Sequence, residues 1–113
     1  MINILLCCAG GMSTSLIARS IQAAILKKGK SDYVKAMDQD SAEHFLKDFD
    51  VVLIAPQLRY ILTKLQKMVE DQGIPVAVME QTDYGLCNGE VILRFAEKLF
   101  QKNPKNESSN YLF

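Results

Sequence analysis

The residues best suited to chemistry stand together near the start of the chain. Cys8 is followed by Ala9, Gly10, Gly11, Met12, Ser13, Thr14 and Ser15. Two glycines permit backbone angles that turn several N–H groups inward. The serines and the threonine add hydroxyl donors. A helix starting there adds partial positive charge at its N-terminus. Together these features make an anion cradle sized for a phosphate. The same dipoles favour the thiolate of a cysteine that faces the cradle. A thiolate beside a phosphate site is a nucleophile placed to accept a phosphoryl group. The loop would then hold the oxygens of the phosphocysteine. From spacing alone a second reading stays open, in which Cys8 is a small buried hydrophobe beside a turn.

The elements that must position this loop follow from periodicity. Ile2 to Cys7 is a short apolar run that ends before Gly10-Gly11 and reads as a buried strand. Leu16, Ile17, Ile21, Ala24 and Ile25 recur at helical spacing from Ser13, and Gly29 closes that helix. Tyr33 to Met37 is a weaker strand. Asp40, with Glu43 three residues on, reads as the N-cap of a short helix to about Asp48. Val51 to Ala55 is a buried strand stopped by Pro56. Leu58, Ile61, Leu62, Leu65, Met68 and Val69 form a helical stripe ended by Gly73. Pro75 to Met79 is a further apolar strand, Asp83 to Gly89 a turn-rich loop, and Ile92, Phe95, Ala96 and Leu99 mark a last helix.

Strands alternate with helices, and the strands are apolar throughout rather than every second residue. The expected fold class is therefore α/β: a single-domain three-layer sandwich around a parallel sheet of about four strands. The domain spans residues 1–102, and Asn103 to Phe113 is expected to be a flexible tail. Ligands of such sheets bind where strands run into helices. That places Cys8–Ser15, Pro56–Tyr60 and Glu80–Gly89 at the functional edge.

The composition excludes several classes. The chain has 113 residues, with 13 Lys+Arg against 13 Asp+Glu. A zero net charge argues against nucleic-acid binding and against a polybasic membrane-surface protein. No apolar run approaches the ~20 residues of a membrane-spanning helix, and the start lacks the basic region of a signal peptide. Three cysteines, two of them adjacent, do not make a disulfide framework, and a reducing, cytoplasmic setting is expected. Cys7 points to the opposite face of the strand from Cys8 and reads as core. Cys87 reads as structural or incidental. His44, the only histidine, falls in a polar helix and reads as solvated. No metal site, thiol redox pair or nucleotide-binding P-loop is legible, and no cofactor is expected.

Three segments carry a resemblance. CAGGMSTS at Cys8–Ser15, LIAPQLRY at Leu53–Tyr60 and TDYGLCNGE at Thr82–Glu90 are similar to the three loops of the enzyme IIB components of the bacterial phosphotransferase system, lactose/cellobiose type. The order of strands and helices agrees from Met1 to about Lys102. The resemblance implies a small cytoplasmic phosphocarrier with Cys8 as the phosphocysteine, and Ala9 to Ser15 around the phosphate. It implies a phosphohistidine donor, enzyme IIA, and an acceptor sugar bound in the membrane permease, enzyme IIC. The chain would then be a protein-phosphocysteine–sugar phosphotransferase that meets the inner face of the membrane only through enzyme IIC.

The loop also resembles that of low-molecular-weight tyrosine phosphatases, whose fold the chain is expected to share. Those enzymes have Arg six positions after the cysteine, where this chain has Thr14. Without a planar guanidinium to clamp the transferring group, hydrolysis should be poor. Phosphatase activity and a non-catalytic phosphate-binding module are the two alternatives. Arg19, one turn along the helix, reads as a surface charge. Gln57, Tyr60, Asp83 and Tyr84 are candidates for the rim of the site or for partner contact, although Asp83 equally suits a turn cap and Gln57 a helix cap.

Overall fold

The sheet forms because residues 4–8 and 51–54 are apolar runs that need cover on both faces, and Tyr33–Asp38 and Val76–Val78 add a strand at either edge. In the computed structural model, which describes residues 1–9 and 12–102 (Met12, Ser13 and Thr14 as backbone only), the strands are β1 Asn3–Cys8, β2 Tyr33–Asp38, β3 Val51–Ile54 and β4 Val76–Val78. They pair in parallel in the order β2-β1-β3-β4. β1 is central, in register with both neighbours: Cys8 faces Asp38 on β2, and Cys7 faces Ile54 on β3. The helices are α1 Met12–Lys27, α2 Gln39–Phe45, α3 Leu62–Met68, α4 Gln81–Gly85 and α5 Gly89–Lys102.

Alternation along β1 divides the core in two. Ile4, Leu6 and Cys8 pack with Ile17, Ile21 and Ile25 of α1 and Ile92, Leu93 and Ala96 of α5. Leu5 and Cys7 pack with Ala42 of α2, Leu65 of α3, and Leu58 and Ile61 before it. This is the three-layer arrangement expected. β2 gives the weakest sequence signal because it is an edge strand: Tyr33 and Lys35 are exposed and only Val34 is fully covered.

Local chemistry sets the ends of the elements. α1 closes in a Schellman motif at Gly29 (φ 66), with Lys30 N–H donating to Ile25 C=O and Gly29 N–H to Leu26 C=O. α2 is capped by Asp38, whose carboxylate accepts from Ser41 N–H at 2.7 Å. The cap therefore lies two residues before Asp40, because β2 runs directly into the helix. The stripe from Leu58 to Val69 is not one α-helix. Pro56–Ile61 is 3₁₀ broken by a kink at Leu58, α3 follows, and Glu70–Gln72 is 3₁₀ again before the left-handed Gly73. Leu16, expected in the core stripe, is half exposed. Ile17, Ile21, Ala24 and Ile25 already complete a stripe at i, i+4, i+7 and i+8, and Leu16 lies about 100° off it. The start of the loop expected over Asp83 to Gly89 is instead the end of α4, which is capped by Glu80 through Thr82 N–H and Asp83 N–H. Gly10, Gly11 and the tail assigned to residues 103–113 lie outside the described residues.

Candidate functional site

Cys8 is the last residue of the central strand, and α1 begins four residues later. This is the edge at which parallel sheets present ligand sites. Its side chain is 5% exposed and reaches the surface through a pocket of ≈ 260 Å³. Ala9, Asp38, Gln39, Asp40, Leu58 and Tyr60 form the rest of the wall. The thiol donates a hydrogen bond to the Met37 carbonyl at 3.2 Å. Cys7, one residue back, is fully buried on the other face. Burial, and then the neighbouring charges of Cys8, Glu43 and Asp38, push its thiol up to about 12. It stays protonated at neutral pH, as a core residue should.

The other expected rim residues divide among three places. Tyr60 is exposed and shares the Cys8 pocket. Gln57 and Tyr84 meet across the second and third loops, Gln57 Nε2 donating to Tyr84 Oη at 3.5 Å. They line a neighbouring pocket of ≈ 310 Å³ with Arg59 and Gln81. Asp83 lies in another, with Glu80, Arg94 and Lys98. Desolvation and the adjacent Glu80 raise its carboxyl above the usual value, whereas the backbone N–H groups of Asp83 and Thr82 lower that of Glu80. Ser15 is exposed at the start of α1. Arg19 and His44 are solvent-facing, as expected.

The sequence reading missed the β2 wall: Met37, Asp38, Gln39 and Asp40. The signal was available. In a parallel sheet every strand ends at the same edge, so the β2–α2 junction belongs with the other three.

Cys87 has a structural explanation. It holds a left-handed backbone (φ 51) at the end of α4. Cys87 N–H donates to Tyr84 C=O and Asn88 N–H to Asp83 C=O, which satisfies the last carbonyls of α4. Ser20 Oγ donates to Cys87 C=O at 2.7 Å and accepts from Gly89 N–H at 3.0 Å. One hydroxyl thus ties the third loop to α1. No cluster of metal-ligating side chains occurs among the described residues.

A family model described as "PTS system, Lactose/Cellobiose specific IIB subunit" matches residues 3–95. The chain belongs to that family. It is 34% identical over 101 residues to the cellobiose-specific EIIB component of Lactococcus lactis subsp. lactis, covering 85% of this chain and 94% of that relative. It is 34% identical over 87 residues to the oligo-beta-mannoside-specific EIIB component of Bacillus subtilis, covering 77% and 84%. Among solved structures, a cellobiose-specific IIB component from Borrelia burgdorferi superposes with a TM-score of 0.75 at 34% identity, covering 90% of this chain and 94% of that one. The lactose-specific IIB domain from Streptococcus pneumoniae gives 0.81 at 18% identity, over 88% and 98%, and speaks to the fold alone. Membership gives the chain a phosphoryl-transfer role in sugar uptake, as a transferase of the phosphotransferase system. IIB components work with IIA and IIC partners. No helix among the described residues is long and apolar enough to cross a membrane.

Proposed function

We propose that Cys8 accepts a phosphoryl group from a phosphohistidine of enzyme IIA and passes it to a sugar bound in the membrane permease, enzyme IIC. The observation that carries this reading is the position of Cys8. It ends the central strand, precedes α1 and is the one thiol of the Cys7–Cys8 pair that opens onto a pocket. In the first step the sulfur forms an S–P bond as the N–P bond of the donor breaks, and the thiol proton passes to the departing imidazole. In the second, a sugar hydroxyl attacks phosphorus, the S–P bond breaks, and the hydroxyl proton returns to sulfur. The segment from Ala9 to Ser15 holds the phosphoryl oxygens, chiefly through backbone N–H groups at the start of α1. Tyr60 flanks the acceptor sulfur, with Gln57 and Tyr84 beside it and Asp83 further round the same edge, where a partner would dock. The working unit is residues 1–102, cytoplasmic and brought to the inner face of the membrane by enzyme IIC. The sugar is a β-linked disaccharide or related oligosaccharide, a class suggested by the cellobiose and oligo-β-mannoside relatives.

The test is intact-mass measurement after incubation with phosphorylated enzyme IIA. One phosphoryl adduct that survives until IIC and sugar are added, and maps to Cys8, supports the reading. Failure of the protein to take up phosphate from a IIA that phosphorylates another IIB would overturn it.

A further inference from the structure

One serine in the middle of α1 turns to the third loop and away from its own helix. A mid-helix serine commonly directs its hydroxyl back to a carbonyl of the preceding turn. Ser20 Oγ instead donates to Cys87 C=O at 2.7 Å and accepts from Gly89 N–H at 3.0 Å, 67 and 69 residues along the chain. The junction between α4 and α5 is shaped to meet it. Cys87 takes a left-handed backbone (φ 51), uncommon for a residue with a Cβ. Gly89 lies so close that a Cβ would fall 2.3 Å from the Ser20 carbonyl oxygen. A larger residue there would push the junction out of reach of the hydroxyl.

From this junction a short path leads to the functional edge. Cys87 N–H donates to Tyr84 C=O at 3.1 Å and Asn88 N–H to Asp83 C=O at 3.0 Å, so the end of α4 and the junction are one hydrogen-bonded unit. Tyr84 packs against the core cluster that holds Cys8, and its hydroxyl accepts from Gln57 Nε2 of the second loop at 3.5 Å. On the other side of the junction, α1 is the helix that follows Cys8. The Ser20 hydroxyl is not what makes the turn. Gly89 N–H also donates to Cys87 C=O at 2.9 Å, so the junction keeps its own closing bond without Ser20. What the hydroxyl adds is a polar tie from that turn to α1.

We propose that Ser20 is a positioning residue for phosphoryl acceptance: its hydroxyl fastens the α4–α5 junction to α1, and so fixes Tyr84, with the Gln57 it meets, as a docking edge beside Cys8. The inference rests on Cys8 being the acceptor and on the third loop standing where the donor docks. Ser20 lines a different pocket from Cys8, so it acts through the loop and not on the transferred group. Losing its hydroxyl loosens the surface that the phosphoryl donor meets and leaves the chemical step as it was. The donor is then bound less tightly, while the bound donor reacts at the same rate.

Ser20→Ala tests this, because alanine favours the helix and removes only the hydroxyl. The rate of phosphoryl uptake from phosphorylated enzyme IIA is followed by intact mass, with the full chain in excess and its concentration varied. The expected result is a half-saturating concentration raised about threefold to tenfold, the range one hydrogen bond supports, with the maximal rate unchanged. Ser20→Thr and Ser20→Val are equal in shape and differ in the hydroxyl. Thr should behave as wild type and Val as Ala, and this pair stands in if Ser20→Ala fails to fold. In a Tyr84→Ala background the Ser20→Ala effect should vanish. An unchanged half-saturating concentration in folded Ser20→Ala would overturn the proposal, even beside a lower urea midpoint, since Ser20 would then be a structural tie alone. So would Thr and Val behaving alike, a fall in maximal rate alone, or an undiminished effect without Tyr84. Failure of the acceptor reading is seen separately, as wild-type protein that takes up no phosphate, and it takes this inference with it.

Discussion

Cys7 and Cys8 are consecutive in the chain and face opposite sides of the sheet. Cys7 packs with Leu5, Ala42 and Ile54 against α2 and α3, whereas Cys8 packs with Ile17 and Ile21 and opens onto the pocket. The pleat of one strand therefore makes one thiol structural and the other accessible.

The two substitutions should separate cleanly. Cys8→Ser abolishes phosphoryl uptake and leaves the fold intact, because a hydroxyl has no comparable nucleophilic anion near neutral pH. Cys7→Ser retains uptake but loses about 1–3 kcal/mol, the cost of a buried hydroxyl without a partner. Intact mass after incubation with phosphorylated enzyme IIA and urea unfolding read the two effects. The opposite pattern would move the acceptor to Cys7.

Gly85 and Gly89 should respond with opposite signs. A Cβ on Gly89 would lie 2.3 Å from the Ser20 carbonyl oxygen, so α5 and α1 would have to part. Gly89→Ala is expected to cost about 3 kcal/mol or more. A Cβ on Gly85 meets nothing within 4 Å and its backbone is not left-handed. Gly85→Ala is expected to stabilise by about 0.4–1 kcal/mol through the unfolded chain. Urea midpoints at constant m-value decide both.

Glu80 and Asp83 should pull the pH dependence of stability in opposite directions. The lowered carboxyl of Glu80 contributes stability that is present above its ordinary value and lost as pH falls through the folded one. The raised carboxyl of Asp83 does the reverse, and stability declines as pH rises from its ordinary value through the folded one. Glu80→Gln should melt below wild type at neutral pH, and Asp83→Asn above it. Both differences should close in strong acid, where all the carboxyls are protonated. Thermal melts along a pH series check this.

What was legible in the sequence were the features set by a few residues close together. β1 beyond Asn3 and all of β3 are apolar on every residue and bounded by Gly10 or Pro56, so both their type and their burial follow. The opposite faces of Cys7 and Cys8 follow from the period of two. The misreadings arose where neighbours in space decided. Asp40 and Glu43 satisfy a capping pattern, yet Asp38 caps α2 because the strand enters the helix without a linker. The third loop is rich in turn formers, yet a single carboxylate, Glu80, holds Thr82 N–H and Asp83 N–H and starts α4. The acidic wall beside Cys8 was hidden because it depends on the register of β2 against β1. No local pattern reports that register.

Leu16 and Ile17 give the most direct test of which helical face is buried. Both are large aliphatic residues in the first turns of α1, and helical spacing alone admits both to an apolar stripe. Ile17 is fully buried among Ile4, Leu6 and Ile92, while Leu16 is 51% exposed. Truncating Ile17 removes buried methyl and methylene groups and leaves a void beneath the central strand. Ile17→Ala is expected to cost about 2–5 kcal/mol. Truncating Leu16 removes surface that water already reaches, and alanine has the higher helix propensity. Leu16→Ala is expected to stay within about 0.5 kcal/mol of wild type. Urea unfolding of the two single variants distinguishes them. A large loss at Leu16 would mean that α1 is rotated about its axis, with Leu16 turned into the core and Cys8 packed against a different helical face.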